Sequence, residues 1–359
     1  MKRNGVLAAI GVTMLLVLTG GTELTSGKIY NQNKQFKEAV AALTVAMEKE
    51  PDNWEVYYQI GYSYSNLDSV ALAYQNFTKA KELNPKKATA DSDNNIQSNY
   101  ARHYKLGQSA FGRQDYTAAA QEFGIASQAD PRQSAAHFNR AVAFARLAET
   151  DSTYALRTLQ EADLALAQAK PDDPNYTKAL SLVGRQLIAL GREEEAPARF
   201  QKMIDENPAS FPVLEEIGTD ALQRQQWKGA AIFLELTATA RAAAGEESFD
   251  VYYNIGVANY NLGRQASGET ADASLARAVE FYEKALGIRP DDAQTTLNLV
   301  ATNVVRKNWP DASLWGEQYV SGNPDDARGW QFLARIYTEL GETDKAADAT
   351  RRFEALRSQ

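Results

Sequence analysis

The chain has 359 residues, a formal net charge of −8 and 44% hydrophobic residues, and it contains no cysteine. The absence of cysteine excludes disulfides, thiolate metal sites and cysteine nucleophiles. The acidic balance, with no cluster of Lys and Arg that could neutralise phosphates, predicts that nucleic acid is not a partner.

The first 21 residues have the three parts of a secretory signal peptide. Met1-Lys2-Arg3 is a basic start, residues 5–18 are apolar, and Thr19-Gly20-Gly21 offers small residues for cleavage. The apolar run is shorter than the about 20 residues that a spanning helix needs, which disfavours an ordinary transmembrane helix. We predict that residues 1–21 are a signal peptide or, alternatively, an N-terminal membrane anchor. The protein is then exported to the periplasm or to the membrane-associated cell envelope.

Leu18-Thr19-Gly20 also resembles the first three positions of a bacterial lipobox. The pattern next requires the cysteine that carries the lipid, and this chain has Gly21 there. We therefore expect no lipidation, and membrane association depends on whether the N-terminal segment is retained.

Residues 54–87 carry aromatic, small and proline residues at spacings that the preceding 34 residues repeat. The marks of this stretch are Tyr57, Ile60, Gly61, Tyr64, Ala73, Phe77, Ala80 and Pro85. Counterparts at a distance of 34 residues are Gly27 for Gly61, Ala39 for Ala73 and Pro51 for Pro85. In this spacing the chain resembles the tetratricopeptide repeat family, whose pattern is W-x2-L-G-x2-Y, A-x3-F and a closing proline.

The resemblance implies an all-α protein in which each repeat is a pair of antiparallel helices that packs on its neighbours. We predict a right-handed α-solenoid of about nine helix-turn-helix repeats over residues 22–359. Their predicted bounds are about 22–53, 54–87, 100–133, 134–176, 177–210, 211–248, 249–292, 293–326 and 327–359.

Three stretches interrupt the repeat period. Residues 88–99 are rich in Asp and Asn and could form a loop or an extended start to the next helix. They are not a calcium loop, because Ile96 and Arg102 stand where such a loop needs Gly and Glu, so we interpret them as a polar loop. The fourth repeat requires about nine extra residues at the turn near 149–153, and the seventh about ten through 267–269.

The sequence contains no recognisable catalytic or cofactor motif. His103 and His137 have no paired metal-ligand spacing, and His103 falls at a packing position, so we predict that it belongs to the core. No G-x-S-x-G elbow, Walker loop or dinucleotide fingerprint is present. We therefore predict a protein that is not an enzyme and that has no metal, cofactor or catalytic residue.

The resemblance also implies where a partner would bind, because the first helices of such repeats line a concave face through a fixed set of positions. Tyr and Arg are frequent at those positions, as they are at protein-binding surfaces. The predicted groove residues are Tyr58, Tyr62, Asn66, Tyr104, Gln108, Phe111, Phe138, Arg146, Arg185, Tyr253, Tyr260, Asn261, Gln331 and Arg335. The alternative is that these tyrosines pack between neighbouring turns of the solenoid.

Some family members hold a peptide carboxylate with a clamp of Lys, Asn and Arg. Lys28, Asn31 and Asn66 are suggestive, but the second and third repeats supply no matching basic pair, so we predict no clamp.

The function predicted from these features is a protein–protein interaction scaffold of the bacterial cell envelope, which holds a partner peptide or protein in the groove. The alternative is a periplasmic receptor for a glycan or peptide ligand.

Overall fold

The computed structural model describes residues 22–170, 172–206 and 211–358. The predicted signal peptide, residues 1–21, lies outside the described residues. Within the described part of the chain the regular structure is helical and contains no strand. The helices are α1 Thr22–Gln32, α2 Phe36–Lys49, α3 Trp54–Asn66, α4 Val70–Leu83, α5 Pro85–Gly112, α6 Tyr116–Ala129, α7 Ser134–Ala148, α8 Tyr154–Gln168, α9 Pro174–Ala189, α10 Ala196–Glu206, α11 Phe211–Gln223, α12 Trp227–Ala244, α13 Phe249–Gln265, α14 Gly268–Ile288, α15 Ala293–Val305, α16 Trp309–Gly322, α17 Ala327–Leu340 and α18 Thr343–Arg357. A short 3₁₀ helix, Glu193–Glu195, precedes α10.

Helices α1 to α6 form three successive hairpins and α11 to α18 form four, in which an odd-numbered helix is the first and the next even-numbered helix is the second. The second repeat shows how: Ala73, Phe77 and Ala80 of α4 are fully buried against α3. At Gly61 of α3, a Cβ atom would lie 2.8 Å from the ring of Phe77, so the close approach of the two helices requires glycine. The prediction of an all-α solenoid of helical hairpins is confirmed.

Most hairpins close through a three-residue turn with one left-handed residue. That residue is Lys34, Asp68, Gln114, Gln225 or Lys307, with φ between 59° and 63°. Between repeats, an Asn or Asp side chain caps the next first helix by accepting its free backbone N–H. Such caps are Asn53, Asp173, Asp292 and Asp326.

The chain divides into two compact units, Met1–Leu147 and Ala148–Gln359. In the sequence, unit 1 has 16 Lys and Arg against 13 Asp and Glu, a net charge of +3. Unit 2 has 22 against 33, a net charge of −11, so it carries the whole acid excess. In neither unit does a described helix combine the length and the apolar character needed to cross a bilayer.

The interpretation of residues 88–99 as a polar loop is wrong, because α5 runs through them without a break. Asn84 caps this helix, and Ala88, Ser92 and Ile96 lie four residues apart on its buried face. A spacing of four places the three side chains on one side of a helix, and α4 covers that side. The polar residues between them face outward and made the stretch look like a loop.

The extra residues of the fourth repeat do not lie at its turn. Residues 149–153 join α7 to α8, only two more than the usual three, so the expected nine extra residues at this position are wrong. In the seventh repeat the extra residues lengthen both helices, since only residues 266–267 separate α13 from α14.

Candidate functional site

The predicted groove residues all lie on odd-numbered helices, the first helices of the predicted repeats. Unit 1 holds Tyr58, Tyr62, Asn66, Tyr104, Gln108, Phe111, Phe138 and Arg146, and unit 2 holds Arg185, Tyr253, Tyr260, Asn261, Gln331 and Arg335. Exposed members are Asn66, Gln108, Arg146, Gln331 and Arg335, and the others are half-buried.

Tyr58 and Tyr62 of α3 line a small cavity of about 210 Å³ together with side chains of α1 and α3. The other lining residues are Lys28, Asn31, Gln32 and Gln59. Sequence reasoning missed Gln32 and Gln59, because neither occupies a family position that marks the groove. We call this set of six residues the α1–α3 cavity.

A polar network fixes the floor of the α1–α3 cavity. Asn31 is 5% exposed, and its Nδ2 donates to Gln59 Oε1 at 2.9 Å, while Ser63 Oγ donates to Asn31 Oδ1 at 2.6 Å. Since the oxygen of the Gln59 amide accepts from Asn31, its NH₂ group remains available to a ligand. The cavity therefore offers an amide donor on a rigid helix.

Lys28 lines the cavity, and its positive charge is already balanced by a carboxylate. Its Nζ lies 2.6 Å from Glu55 Oε1 of α3. Asn66, the third residue considered for a carboxylate clamp, donates to the backbone oxygen of Tyr62 in its own helix at 2.9 Å. The three residues thus have separate partners and do not converge on one point.

Tyr58 combines a half-buried ring with a hydroxyl that reaches the next repeat. Its ring lies 5.7 Å from that of Phe77, and its hydroxyl accepts from Asn95 Nδ2 of α5 at 3.5 Å. Burial, with a smaller contribution from the charge of Asp91, raises the pKa of Tyr58 above its ordinary value. The hydroxyl therefore keeps its proton at neutral pH and can donate it to an acceptor.

The contact between tyrosine and asparagine recurs along the chain. Asn139 of α7 donates to the hydroxyl of Tyr104 at 2.7 Å, and Asn298 of α15 donates to that of Tyr253 at 3.3 Å. In each case the tyrosine ring also packs on an aromatic residue of its own hairpin. The rings of these three tyrosines therefore pack within their own hairpins, while their hydroxyls reach the next repeat. The alternative considered from the sequence, packing between neighbouring turns of the solenoid, is not tested by these contacts. Whether they also bind a partner stays a prediction.

Several other predicted groove residues contact neighbouring side chains. The guanidinium of Arg185 lies 2.7 Å from Glu216 and 3.5 Å from Asp220, both on α11. The ring of Phe111 packs on Tyr116 at 5.2 Å. The guanidinium of Arg335 lies 5.9 Å above the ring of Trp309. Such contacts order these side chains before any ligand arrives.

His103 is a core residue, as predicted, and its ring lies between two carboxylates. It is 3% exposed, its Nδ1 lies 2.8 Å from Glu122, and its Nε2 lies 3.1 Å from Asp68. The ring thereby links the turn of the second repeat to the second helix of the third. Among the residues that the structure describes, no group of three or more His, Asp or Glu is placed to hold a metal ion.

Comparison with known proteins identifies the repeats. Two profiles of the tetratricopeptide repeat family match the chain, one over residues 55–87 and one over residues 104–174. A curated relative is the small glutamine-rich tetratricopeptide repeat-containing protein 2 of Mycosarcoma maydis, which is 32% identical over 104 residues. That match covers 29% of this chain, and the chain spans about a quarter (27%) of the relative's length.

Some solved structures are also similar to this chain. The TPR domain of P58(IPK) is 15% identical, with 89% of this chain and 98% of that chain covered and a TM-score of 0.29. The pilF protein of Pseudomonas aeruginosa is 16% identical, with coverage of 73% and 93% and a TM-score of 0.29. The C-terminal part of a TPR repeat-containing protein from Cytophaga hutchinsonii is 15% identical, with coverage of 70% and 95% and a TM-score of 0.35.

Proposed function

We propose that this chain, a tetratricopeptide repeat protein, is a non-enzymatic scaffold that binds a peptide segment of a partner protein at the α1–α3 cavity. Tetratricopeptide repeats generally mediate protein–protein interaction. The observation that carries the proposal is the pair Tyr58 and Tyr62 beside the donating amide of Gln59. Aromatic faces supply contact area at a low entropy cost, and the donors suit the main-chain carbonyls of a peptide.

The size of the cavity supports recognition of one anchoring residue of such a peptide. A volume of about 210 Å³ holds a single side chain or a single sugar ring, and the rest of the ligand would lie along the exposed parts of α1 and α3. The charge of Lys28 is balanced by Glu55, so recognition there depends on shape and hydrogen bonds more than on net charge.

The proposal is tested by identifying the partner and then removing the aromatic faces. A photo-crosslinking residue in place of the exposed Gln32, incorporated in cells, should label the partner and define the bound segment by mass spectrometry. The affinity of that segment is then measured for Tyr58→Ala combined with Tyr62→Ala. We expect a loss of about tenfold or more, as for the removal of an aromatic anchor.

Tyr57→Ala is the matched control, because Tyr57 is half-buried on the same helix but bonds Pro51 instead of lining the cavity. Melting curves of each variant show that it is folded. If the double variant retains the segment as well as the control does, the cavity is not the binding site. Labelling of a glycan in place of a protein would favour the receptor alternative.

We further propose that the scaffold works in the bacterial cell envelope. Support comes from the signal-peptide pattern of residues 1–21. Cell fractionation and the mass of the mature protein test this, since a full-length protein in the cytoplasmic fraction would contradict export.

A further inference from the structure

A second and larger concave surface lies in unit 2, on the second helices, away from the predicted groove residues. The helices α12 and α14 border a cavity of about 480 Å³. Its lining includes Ile232, Leu236 and Ala238 of α12, Tyr252 of α13 and Phe281 of α14. The floor is formed mainly by the apolar side chains of Leu236 and Phe281 and the ring of Tyr252. All three side chains are largely buried. We call this surface the α12–α14 groove.

The groove is long enough for several residues of a bound segment. On α14, the lining residues Arg277, Phe281 and Lys284 follow one another at steps of four and three and so lie on one face. From Arg277 to Lys284 this face rises about 10 Å, at 1.5 Å per residue. An extended chain of about three residues has that length, at 3.3 Å per residue.

The two cations of the groove are already engaged. The guanidinium of Arg277 lies 2.7 Å from Glu235 on α12 and 2.7 Å from Glu280. The Nζ of Lys284 lies 2.7 Å from Glu280 and 4.6 Å above the ring of Phe281. These contacts hold α12 to α14 and leave the cations little attraction for an incoming anion.

The end of the groove that follows α12 is acidic. The hydroxyl of Tyr252, a lining residue, donates to the Glu247 carboxylate at 3.1 Å and fixes it at this end. Glu246 and Asp250 are exposed beside it, and α12 ends at Ala244 with Gly245 as its C-cap, so its negative dipole end lies here as well. Arg289 balances part of this charge, since its guanidinium lies 3.8 Å from Asp250 and 4.1 Å above the ring of Phe249.

We propose that the α12–α14 groove binds a basic segment of a partner protein, with an apolar side chain on the Leu236–Phe281 floor and a neighbouring Lys or Arg at Glu246 and Glu247. The net charge of −11 on unit 2, against +3 on unit 1, attracts a basic segment to this unit. The same charge repels nucleic acids and anionic membrane surfaces. A basic protein segment can bury an apolar side chain on this floor, whereas a free cation has no apolar group to bury there.

The experiment uses the full chain and a peptide array. In one set of ten-residue peptides, two central apolar residues in all combinations are flanked by lysines. In a second set the lysines are replaced by glutamates, and in a third the apolar pair is replaced by Gly-Ser. We expect retention of peptides from the first set alone. Equal retention of the third set would mean unspecific attraction to the acidic unit and would overturn the proposal, as would retention of the second set or of none.

The best peptide is then labelled, and its dissociation constant is measured by fluorescence anisotropy. Thr239→Trp fills the groove from an exposed position of α12, and Glu246→Gln with Glu247→Gln removes the acidic end. Each change should weaken binding by about tenfold, as expected for an anchor pocket or a charge pair.

The control is Glu339→Gln with Glu354→Gln, which removes the same charge from α17 and α18 without touching the groove. It should change the dissociation constant by less than about twofold, because exposed charges farther away than a Debye length are screened. If the control weakens binding as much as the groove variants do, the groove is not the site. Variants of Tyr58 and Tyr62 should leave this binding unchanged, so a failure here is distinct from a failure at the α1–α3 cavity.

Discussion

Tyr58 and Tyr104 accept hydrogen bonds from the next repeat through their hydroxyl groups, and the contribution of these hydroxyls can be tested apart from that of the rings. Tyr104→Phe keeps the ring contact with Phe123, at 5.5 Å between centroids, but removes the acceptor that Asn139 reaches at 2.7 Å. Because the site is half-buried, the amide of Asn139 loses a partner that water only partly replaces. We expect a fall of about 1 kcal/mol in the free energy of unfolding, the usual net value of one hydrogen bond.

Urea unfolding followed by far-ultraviolet circular dichroism measures this change. A fall of about 1 kcal/mol lowers the folding equilibrium constant roughly fivefold. Tyr58→Phe should cost less, because its bond to Asn95 is 3.5 Å long and correspondingly weak. Tyr116→Phe is the control, since the hydroxyl of Tyr116 has no hydrogen-bond partner among the described residues. The reasoning fails if Tyr104→Phe is as stable as the unchanged protein, or if the control loses as much.

Three further predictions concern the fold. Gly61→Ala should destabilise unit 1 by about 1–3 kcal/mol, because its new methyl group would lie 2.8 Å from Phe77, and Phe77→Leu should restore part of the loss in thermal unfolding. The hydrogen bond from Arg328 holds the pKa of Asp326 well below its usual range, so this carboxylate contributes stability above the unfolded pKa of about 3.9 that is lost as pH falls below it. Asp326→Asn should therefore flatten the acid limb of the stability curve, and an unchanged limb would contradict the assignment. His103→Gln removes the ring that contacts Glu122 and Asp68, although Asp68 keeps its contact with Arg102, and should cost about 1 kcal/mol in urea unfolding, whereas no loss would mean that water replaces the ring.

The hairpins could be predicted from the sequence because their marks are demanded by local sterics. Gly61 is needed where Phe77 crosses, and Ala73 and Ala80 are small because α3 lies against them. Residues 88–99 were misread because their composition is polar, while the buried face consists of Ala88, Ser92 and Ile96 at every fourth position. Whether such a face is covered depends on α4, which a local pattern does not report.

The binding surfaces were less predictable than the fold. A tyrosine such as Tyr58 gives the same signal in the sequence whether its ring contacts a ligand or the next repeat. The distinction appears only when Asn95 is seen at its hydroxyl. Gln59 could have been found only from its partner Asn31, 28 residues earlier, which turns the amide nitrogen toward the cavity. The α12–α14 groove had no signal of its own because its floor is made by residues that also form the core.

Departures from the repeat pattern contribute to the α12–α14 groove, which the regular repeats alone do not specify. In the hairpins that follow the pattern closely, the second helix has 14 residues, as α2 and α4 do. In unit 2, α12 has 18 residues and α14 has 21, so both extend beyond this length. Tyr252 then lies between them and places Glu247 at the end of the groove. The regular marks specify helical hairpins that many unrelated sequences share, and most of the groove lining lies on the regular parts of α12 and α14. What belongs to this chain is the longer end of α12, which adds Ala242 to the lining and is followed by Glu246 and Glu247. Shortening α12 to 14 residues by deleting residues 241–244 would test this, because it should preserve the hairpins and weaken binding of the basic peptide.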